Sequence, residues 1–212
     1  MNILFVISDD LSTSALGSYG NKLCKTPNID KFADQGTRFT RAYSQATSCG
    51  PSRASMMFSY YMQASGSTGY VSGRAAIGDT RDSWPQYFRK NGYYSTRVSK
   101  IFHMGVPIDI QKGNDGSDDA ESWDEKYNSQ AAEASLKGDA ELLQNNPKEI
   151  KKTAGGNKFV NVASEANELL YSDGVTAKKA VELIHQFKTT DKPSSSGICT
   201  TTCSLCGTQT IF

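Results

Sequence analysis

Short apolar runs and amphipathic segments alternate along the first half of the chain. The run over residues 3–7 is continuously apolar, which is typical of a strand buried in a parallel sheet. Strands are predicted over residues 3–7, 39–43 and about 93–98, and helices over residues 26–36 and 83–91. This alternation predicts an α/β fold with a mainly parallel, doubly wound sheet and helices on both faces.

The second half of the chain has weaker patterns. Residues 113–125 are acidic and glycine-rich, which indicates an exposed loop, and residues 172–188 carry apolar positions at helical spacing. After Lys192-Pro193 the chain becomes rich in serine, threonine, cysteine and glycine without an amphipathic pattern. We therefore expect a boundary near residue 190 and a divergent, disordered tail over residues 191–212.

The composition excludes several classes of partner. The 23 lysines and arginines nearly balance the 22 aspartates and glutamates among 212 residues, so the charge predicts neither nucleic-acid nor membrane-surface binding. No apolar run approaches the roughly 20 residues that span a bilayer. Five cysteines, an odd number, do not predict a disulfide framework.

The segment Cys49-Gly50-Pro51-Ser52-Arg53 is the strongest candidate for chemistry. Pro51 suits the first position of a helix, so Cys49 is expected just before the helix, beside its unpaired N–H groups. Arg53, four residues later, adds a cation on the same face. A nucleophile, a helix N-terminus and an arginine together indicate chemistry on a sulfate or phosphate ester. The alternative for Cys49 is a small buried apolar residue.

Other candidates follow predicted strands. Asp9 and Asp10 come after the first strand and Lys100 after the strand that ends near residue 98. The carboxyl ends of parallel strands share one edge of a sheet, so these residues are expected to gather there with Cys49. The aspartates are hard oxygen ligands for a cation, and their alternative is a polar strand end or a helix cap.

Several segments, taken in order, carry a family resemblance. They are residues 2–10, 25–30, 36–43, 49–53, 84–93 and 98–103. The chain resembles the type I, formylglycine-dependent sulfatases, and residues 98–103 are similar to the iduronate-2-sulfatase-like branch. The resemblance covers most of residues 2–128 and extends more loosely to about residue 190.

This resemblance implies the N-terminal portion of an alkaline phosphatase/sulfatase-type fold, with residues 1–190 as part of the catalytic domain. It implies that a formylglycine-generating enzyme oxidises Cys49 to formylglycine, whose hydrate attacks the sulfur of a sulfate ester. The implied substrate is a sulfated carbohydrate or another sulfate ester. Arg53 would support the aldehyde, Lys100 would contact the sulfate, and His103 would handle protons.

The same resemblance implies a divalent cation, Ca²⁺ or in some members Mg²⁺, held by Asp9, Asp10 and the group derived from Cys49. The family's remaining metal ligands come from an Asp-His or Asp-Asn pair far downstream, which this chain does not contain. The family also continues the motif into Thr-Gly-Arg, where this chain has Phe58-Ser59-Tyr60.

The resemblance leaves localisation and activity open. Family members are usually secreted, periplasmic or lysosomal, whereas this sequence begins with a strand and shows no signal peptide. The alternative function is a truncated, inactive remnant or a sulfate-ester-binding fragment. A second rival, a phosphate-ester hydrolase of the same fold, would use serine or threonine as its nucleophile. Cys199, Cys203 and Cys206 have the spacing of a metal-binding triad, but structural zinc usually needs four ligands.

Overall fold

The structure, a computed structural model, describes residues 1–105, 108–131, 139–142, 160–163, 167–189 and 193–200. The chain divides into two compact units. The first unit comprises Met1–Ser8, Ser44–Ser135 and Asn167–Thr201, and the second comprises Asp9–Tyr43, Leu136–Ala166 and Thr202–Phe212.

The helices and strands follow one another along the described chain. The strands are β1 (Ile3–Ser8), β2 (Tyr94–Val98), β3 (Glu125–Tyr127), β4 (Asp139–Leu142), β5 (Val160–Ala163) and β6 (Ser194–Thr200). The α-helices are α1 (Pro27–Asp34), α2 (Cys49–Phe58), α3 (Met62–Ser65), α4 (Gly73–Ile77), α5 (Trp84–Lys90), α6 (Ile108–Lys112) and α7 (Ser172–Lys188). Short 3-10 helices cover Thr13–Ala15, Gly17–Tyr19, Gly78–Thr80, Ala120–Ser122 and Glu168–Leu170.

A four-stranded parallel sheet organises the first unit. Its order is β1-β6-β2-β3, with Ile3 opposite Ser195, Ser195 opposite Ser95, and Thr96 opposite Glu125. Successive side chains of a strand point to opposite faces, so this register places Phe5 and Val98 on different faces. The predicted parallel α/β fold is therefore confirmed.

Helices cover both faces of this sheet. On one face the ring of Phe5 meets Trp84 of α5 edge to face, with centroids 5.3 Å apart. On the other face Val98 packs with residues of α7, namely Ala180, Leu183 and Phe187. A larger core cluster lies around Met57, Phe58, Ile77, Ile101, Phe102 and Trp123.

The first strand is less buried than expected. β1 is an edge strand of the described sheet, and Leu4 and Val6 are 51% and 59% exposed. The expectation of a fully buried strand was wrong because α7 packs on β2 and β6 rather than on β1. An apolar run alone does not show whether its strand is interior or at an edge.

The predicted tail contains a strand. Ser194–Thr200 forms β6, which pairs in parallel with β1 on one side and β2 on the other. The expectation of disorder was therefore wrong for these residues, since hydrogen bonds from two neighbouring strands can order a segment of low apolar content. The boundary near residue 190 stays a prediction, and residues 201–212, with Cys203 and Cys206, lie outside the described residues.

The loop predicted over residues 113–125 is partly buried. Asp119, Ser122 and Trp123 are at most 5% exposed, because the 3-10 helix Ala120–Ser122 packs beside α5. The Ser83 hydroxyl, which caps α5, hydrogen-bonds Ser122 Oγ at 2.6 Å. An acidic, glycine-rich composition was a poor guide here because polar partners satisfy the buried groups.

The second unit contains α1 and the antiparallel pair β4-β5. Thr26 Oγ1 accepts a hydrogen bond from the Gly17 backbone and donates one to Asp30, which ties α1 to the preceding turn. Residues 39–43, predicted as a strand, form neither a helix nor a strand in the structure. Phe39 and Tyr43 are 72% and 83% exposed, so apolar content there does not reflect a buried strand.

Within the described part of the chain, every helix is too short or too polar to cross a membrane.

Candidate active site

Cys49 begins α2. Ser48 is its extended N-cap residue, with φ −110° and ψ 141°, and Pro51 lies in the first turn with its side chain fully buried. The helix therefore starts at Cys49 itself, two residues earlier than the proline suggested. The thiol lies at the positive end of the helix dipole, where a developing negative charge is stabilised.

His103 lies beside Cys49. Its Nδ1 is 3.3 Å from Cys49 Sγ, which is hydrogen-bond distance for sulfur. The two residues are 54 positions apart and lie on α2 and on the loop after β2. An imidazole at this distance can exchange a proton with the group at position 49. Sequence reasoning had paired these two residues only through the family resemblance.

Arg53 binds the backbone of the segment that carries Lys100. Its NH1 group donates to the carbonyl oxygens of Lys100 at 2.6 Å and Ile101 at 2.8 Å. Arg53 is 4% exposed and Lys100 is 3% exposed. The guanidinium therefore joins α2 to the loop after β2. Its predicted part in catalysis, like that of Lys100, stays a prediction.

Asp9 and Asp10 directly follow β1 and belong to the second unit. Asp9 is 9% exposed, whereas Asp10 is exposed and has a left-handed backbone with φ 55°. Among the described residues there is no group of three or more His, Cys, Asp and Glu side chains that could hold a metal ion. Two carboxylates supply fewer oxygens than the 6–8 or so that Ca²⁺ takes, so the described donor set does not complete such a site.

Tyr70 is a site residue that sequence reasoning missed. Its ring lies on the His103 imidazole, with centroids 4.5 Å apart and planes 34° apart, while 61% of the residue remains exposed. The same segment runs close to α2, where a Cβ on Gly50 would be 2.7 Å from the Gly69 carbonyl oxygen. Only glycine at position 50 permits this approach. Nothing in the local sequence around Tyr70 signals this contact.

Ser99 and Arg97 were missed as well. Ser99 has a left-handed backbone with φ 61°, which is uncommon for a residue other than glycine, and it immediately precedes Lys100. Arg97 is 1% exposed and donates to the Ser99 carbonyl oxygen at 3.0 Å. A charged residue inside an otherwise interior strand was the available signal, since buried arginines need several partners.

Comparison with known proteins assigns the family. The family model described as Sulfatase matches residues 1–201. The chain belongs to the sulfatase family. This result confirms the family resemblance seen in the motif at Cys49 and in the segments around it.

Individual relatives agree with this family. The chain is 35% identical over 133 residues to the iduronate 2-sulfatase of Mus musculus, a match that covers 58% of this chain and 21% of the relative. The chain thus spans about a fifth of the length of that curated sulfatase.

Solved structures support the fold. One is a protein in complex with its substrate D-glucosamine-2-N,6-O-disulfate, with a TM-score of 0.58, 19% identity, and coverage of 93% of this chain and 33% of that one. Another is the phosphonate monoester hydrolase of Agrobacterium radiobacter, with a TM-score of 0.57, 19% identity, and coverage of 93% and 40%. At these identities the likeness shows the fold alone, and it confirms the alkaline phosphatase/sulfatase type.

Proposed function

We propose that this chain carries the nucleophile of a sulfuric ester hydrolase that acts on sulfated sugars. The observation that carries the proposal is the 3.3 Å approach of His103 Nδ1 to Cys49 Sγ at the start of α2. Family membership and the likeness to an iduronate 2-sulfatase support the reaction class and the substrate class.

The proposed reaction begins with conversion of Cys49 to formylglycine by a formylglycine-generating enzyme. The hydrated aldehyde carries two hydroxyl groups on one carbon. One hydroxyl oxygen attacks the ester sulfur, the sulfur–oxygen bond to the sugar breaks, and the sugar alcohol leaves with a proton. The second hydroxyl then loses its proton, its carbon–oxygen bond becomes the carbonyl of the aldehyde, and sulfate is expelled.

The residues around position 49 suit these steps. The His103 imidazole lies within reach of a proton on the hydrate and titrates near neutral pH in ordinary surroundings. The N–H groups at the start of α2 favour the negative charge of a sulfate. Lys100 would add a cation for a sulfate oxygen, and Arg53 holds the backbone on which Lys100 lies.

The metal part of the proposal rests on residue chemistry. Asp9 and Asp10 are hard oxygen donors of the kind that Ca²⁺ or Mg²⁺ prefers, and both follow a strand of the sheet. Because the described donor set is incomplete, no step of the reaction is assigned to the cation.

The modification is tested first on the chain itself. The protein is co-expressed with a formylglycine-generating enzyme, and mass spectrometry follows the peptide that contains Cys49. We expect sulfur to be lost at Cys49, while the exposed free thiol of Cys24 is the internal control. An unmodified Cys49 would sink the formylglycine assignment and favour the alternative of a non-catalytic, sulfate-ester-binding relative.

Turnover is then measured on the product of the complete gene. A sulfated monosaccharide and an aryl sulfate are compared with the matching phosphate esters. We expect sulfate release that Cys49→Ala abolishes and that His103→Ala reduces by about 10²–10⁴-fold, the usual contribution of a positioned acid or base. Preference for the phosphate esters would replace the proposal by the phosphoesterase alternative.

A further inference from the structure

Two buried arginines hold the turn between β2 and the proposed catalytic residues. Arg53 NH1 donates to the carbonyl oxygens of Lys100 and Ile101, and Arg97 NH1 donates to that of Ser99. Three successive carbonyl groups are therefore fixed by guanidinium groups from α2 and from β2. The Ile101 backbone N–H also donates to the Ser99 oxygen at 3.1 Å, which closes the turn.

Arg97 reaches further than this turn. Its Nε donates to Asp118 Oδ2 at 2.8 Å, its NH1 to Asn128 Oδ1 at 2.8 Å, and its NH2 to Asp115 Oδ1 at 3.1 Å. Burial disfavours the charge of Asp115, but hydrogen bonds from Lys126 and Asn128, with the charge of Arg97, hold the pKa of that carboxyl below its usual value. The guanidinium is thus the centre of a charged, almost fully paired cluster inside the first unit.

Asp115 and Asp118 enclose the two residues that hold His103. The Ser117 backbone N–H donates to the His103 carbonyl oxygen at 2.7 Å. Gly116 has φ 65°, and a Cβ there would be 2.6 Å from the same oxygen. Ser117 Oγ also donates to the carbonyl oxygen of Tyr70, whose ring covers the His103 imidazole. Through residues 115–118, Arg97 is connected to the backbone and to the ring face of His103.

We propose that Arg97 is a positioning residue of the active site, which sets the His103 imidazole against position 49 by holding both the Ser99 carbonyl and residues 115–118. This inference rests on the proposed roles of Cys49 and His103. Arg97 itself contacts neither side chain in the described structure, so its effect is transmitted through backbone groups.

The geometry requires the fork of an arginine. Arg97 directs donors to four different side-chain or backbone groups, and a planar guanidinium presents five N–H groups in fixed directions. A lysine keeps the charge but offers three donors from one point. Arg97→Lys should therefore preserve much of the electrostatic balance while releasing part of the turn or of residues 115–118.

The test uses the 212-residue chain with its thiol intact. The chain has two histidines, so selective ¹⁵N labelling of histidine gives two imidazoles: His103, and His185, which is exposed on α7. Spectra are recorded near pH 8, above the ordinary histidine pKa of about 6.5. We expect distinct signals for the two rings, and a shift of the His103 signal in Cys49→Ala because Sγ is removed.

If Arg97 positions His103, Arg97→Lys shifts the His103 nitrogen signals most of the way to their place in Cys49→Ala, while His185 does not move. Asp118→Asn, which keeps its shape but weakens the pair with Arg97, shifts them in the same direction by less. It also serves if Arg97→Lys fails to fold. The matched control is Arg89→Lys, because Arg89 likewise joins a carboxylate, Asp124, and a carbonyl, Glu121, on the surface.

Unchanged His103 signals in folded Arg97→Lys or Asp118→Asn would show that Arg97 is only a stability residue and would overturn the inference. This result is separable from failure of the proposed function, since the spectra need neither formylglycine nor turnover. A chain that is never converted at Cys49 can still show the coupling between Arg97 and His103.

Discussion

The two strands β1 and β2 reverse the usual relation between sequence and burial. β1 reads ILFVIS, yet Leu4 and Val6 are more than half exposed. β2 reads YSTRV, yet its residues from Ser95 to Val98 are at most 1% exposed. Both strands pair with β6, but β2 is interior to the sheet and β1 is at its edge. Position in the sheet, more than hydrophobicity, decides burial here.

The largest effect should come from removing the charge inside β2. Arg97→Met leaves the Asp118 carboxylate, 7% exposed, without its cation, and we expect a loss of about 3–5 kcal/mol in the free energy of unfolding. Arg89→Met, which breaks a partly exposed pair with Asp124, should cost about 0–1 kcal/mol. Urea unfolding of both variants measures the difference. Equal losses would mean that burial does not distinguish these pairs.

The same truncation on both strands should have unequal costs. Val98→Ala removes two methyl groups from the cluster with Leu183 and Phe187, for about 2–3 kcal/mol of stability. Val6→Ala, at a position 59% exposed, should cost less than about 1 kcal/mol. Thermal and urea unfolding report both values. A Val6→Ala loss as large as that of Val98→Ala would show that β1 is covered in solution.

A smaller effect, of opposite sign, is expected at the end of β2. Ser99→Gly removes a left-handed strain at φ 61° and a buried hydroxyl that has no hydrogen-bond partner within the described part of the chain. We expect a gain of about 1 kcal/mol. Ser59→Gly, at φ 56° but exposed at the end of α2, is the matched control and should gain less. A destabilised Ser99→Gly would mean that the hydroxyl has a role we have not assigned.

The smallest effect concerns pH and the opposite edge strand, β3. The Tyr127 hydroxyl donates to Glu125 Oε2 at 2.5 Å. Hydrogen bonds from Tyr127 and Tyr94 lower the pKa of Glu125, so its contribution is present above about pH 4.5 and lost as the pH falls through the folded-state value. The hydrogen bond to Glu125, with burial, raises the pKa of Tyr127 to about 12. Its contribution is therefore present below about pH 10 and is lost as the pH rises from 10 towards 12.

Tyr127→Phe should flatten the stability profile in both pH windows and change little near pH 7 beyond the loss of one hydrogen bond. Tyr87→Phe, at a residue 60% exposed, is the control. Melting temperatures recorded from pH 3 to pH 11 test this. Parallel profiles for wild type and Tyr127→Phe would contradict the assigned pair.

Sequence patterns predicted the regular elements well where the local signals were strong. Strands near residues 3–8 and 94–98 are present, as are helices that begin at Pro27, Trp84 and Ser172. These elements have proline or serine at their starts or a sustained apolar pattern, which are local properties of the chain. Residues 39–43 had apolar content without such support, and they form no strand.

The candidate site was predicted in part. The residues near Cys49 were chosen by motif, and the structure brings Cys49 and His103 together and joins Arg53 to the backbone of Lys100. Tyr70, Arg97 and the turn at residues 115–118 were not chosen, because their contacts come from segments distant in sequence. The ligand roles of Asp9 and Asp10 stay predictions.

By itself, the sequence determined the α/β class, the sulfatase family and the position of the nucleophile, because these depend on local periodicity and on one short motif at a helix start. Tertiary structure alone decided that Ser194–Thr200 is a central strand and that a polar strand is the most buried one. It also decided that Arg97 joins the turn before Lys100 to the loop behind His103. Hydrogen-bond partners and burial are supplied by neighbours in space, and no local pattern records which neighbours those will be.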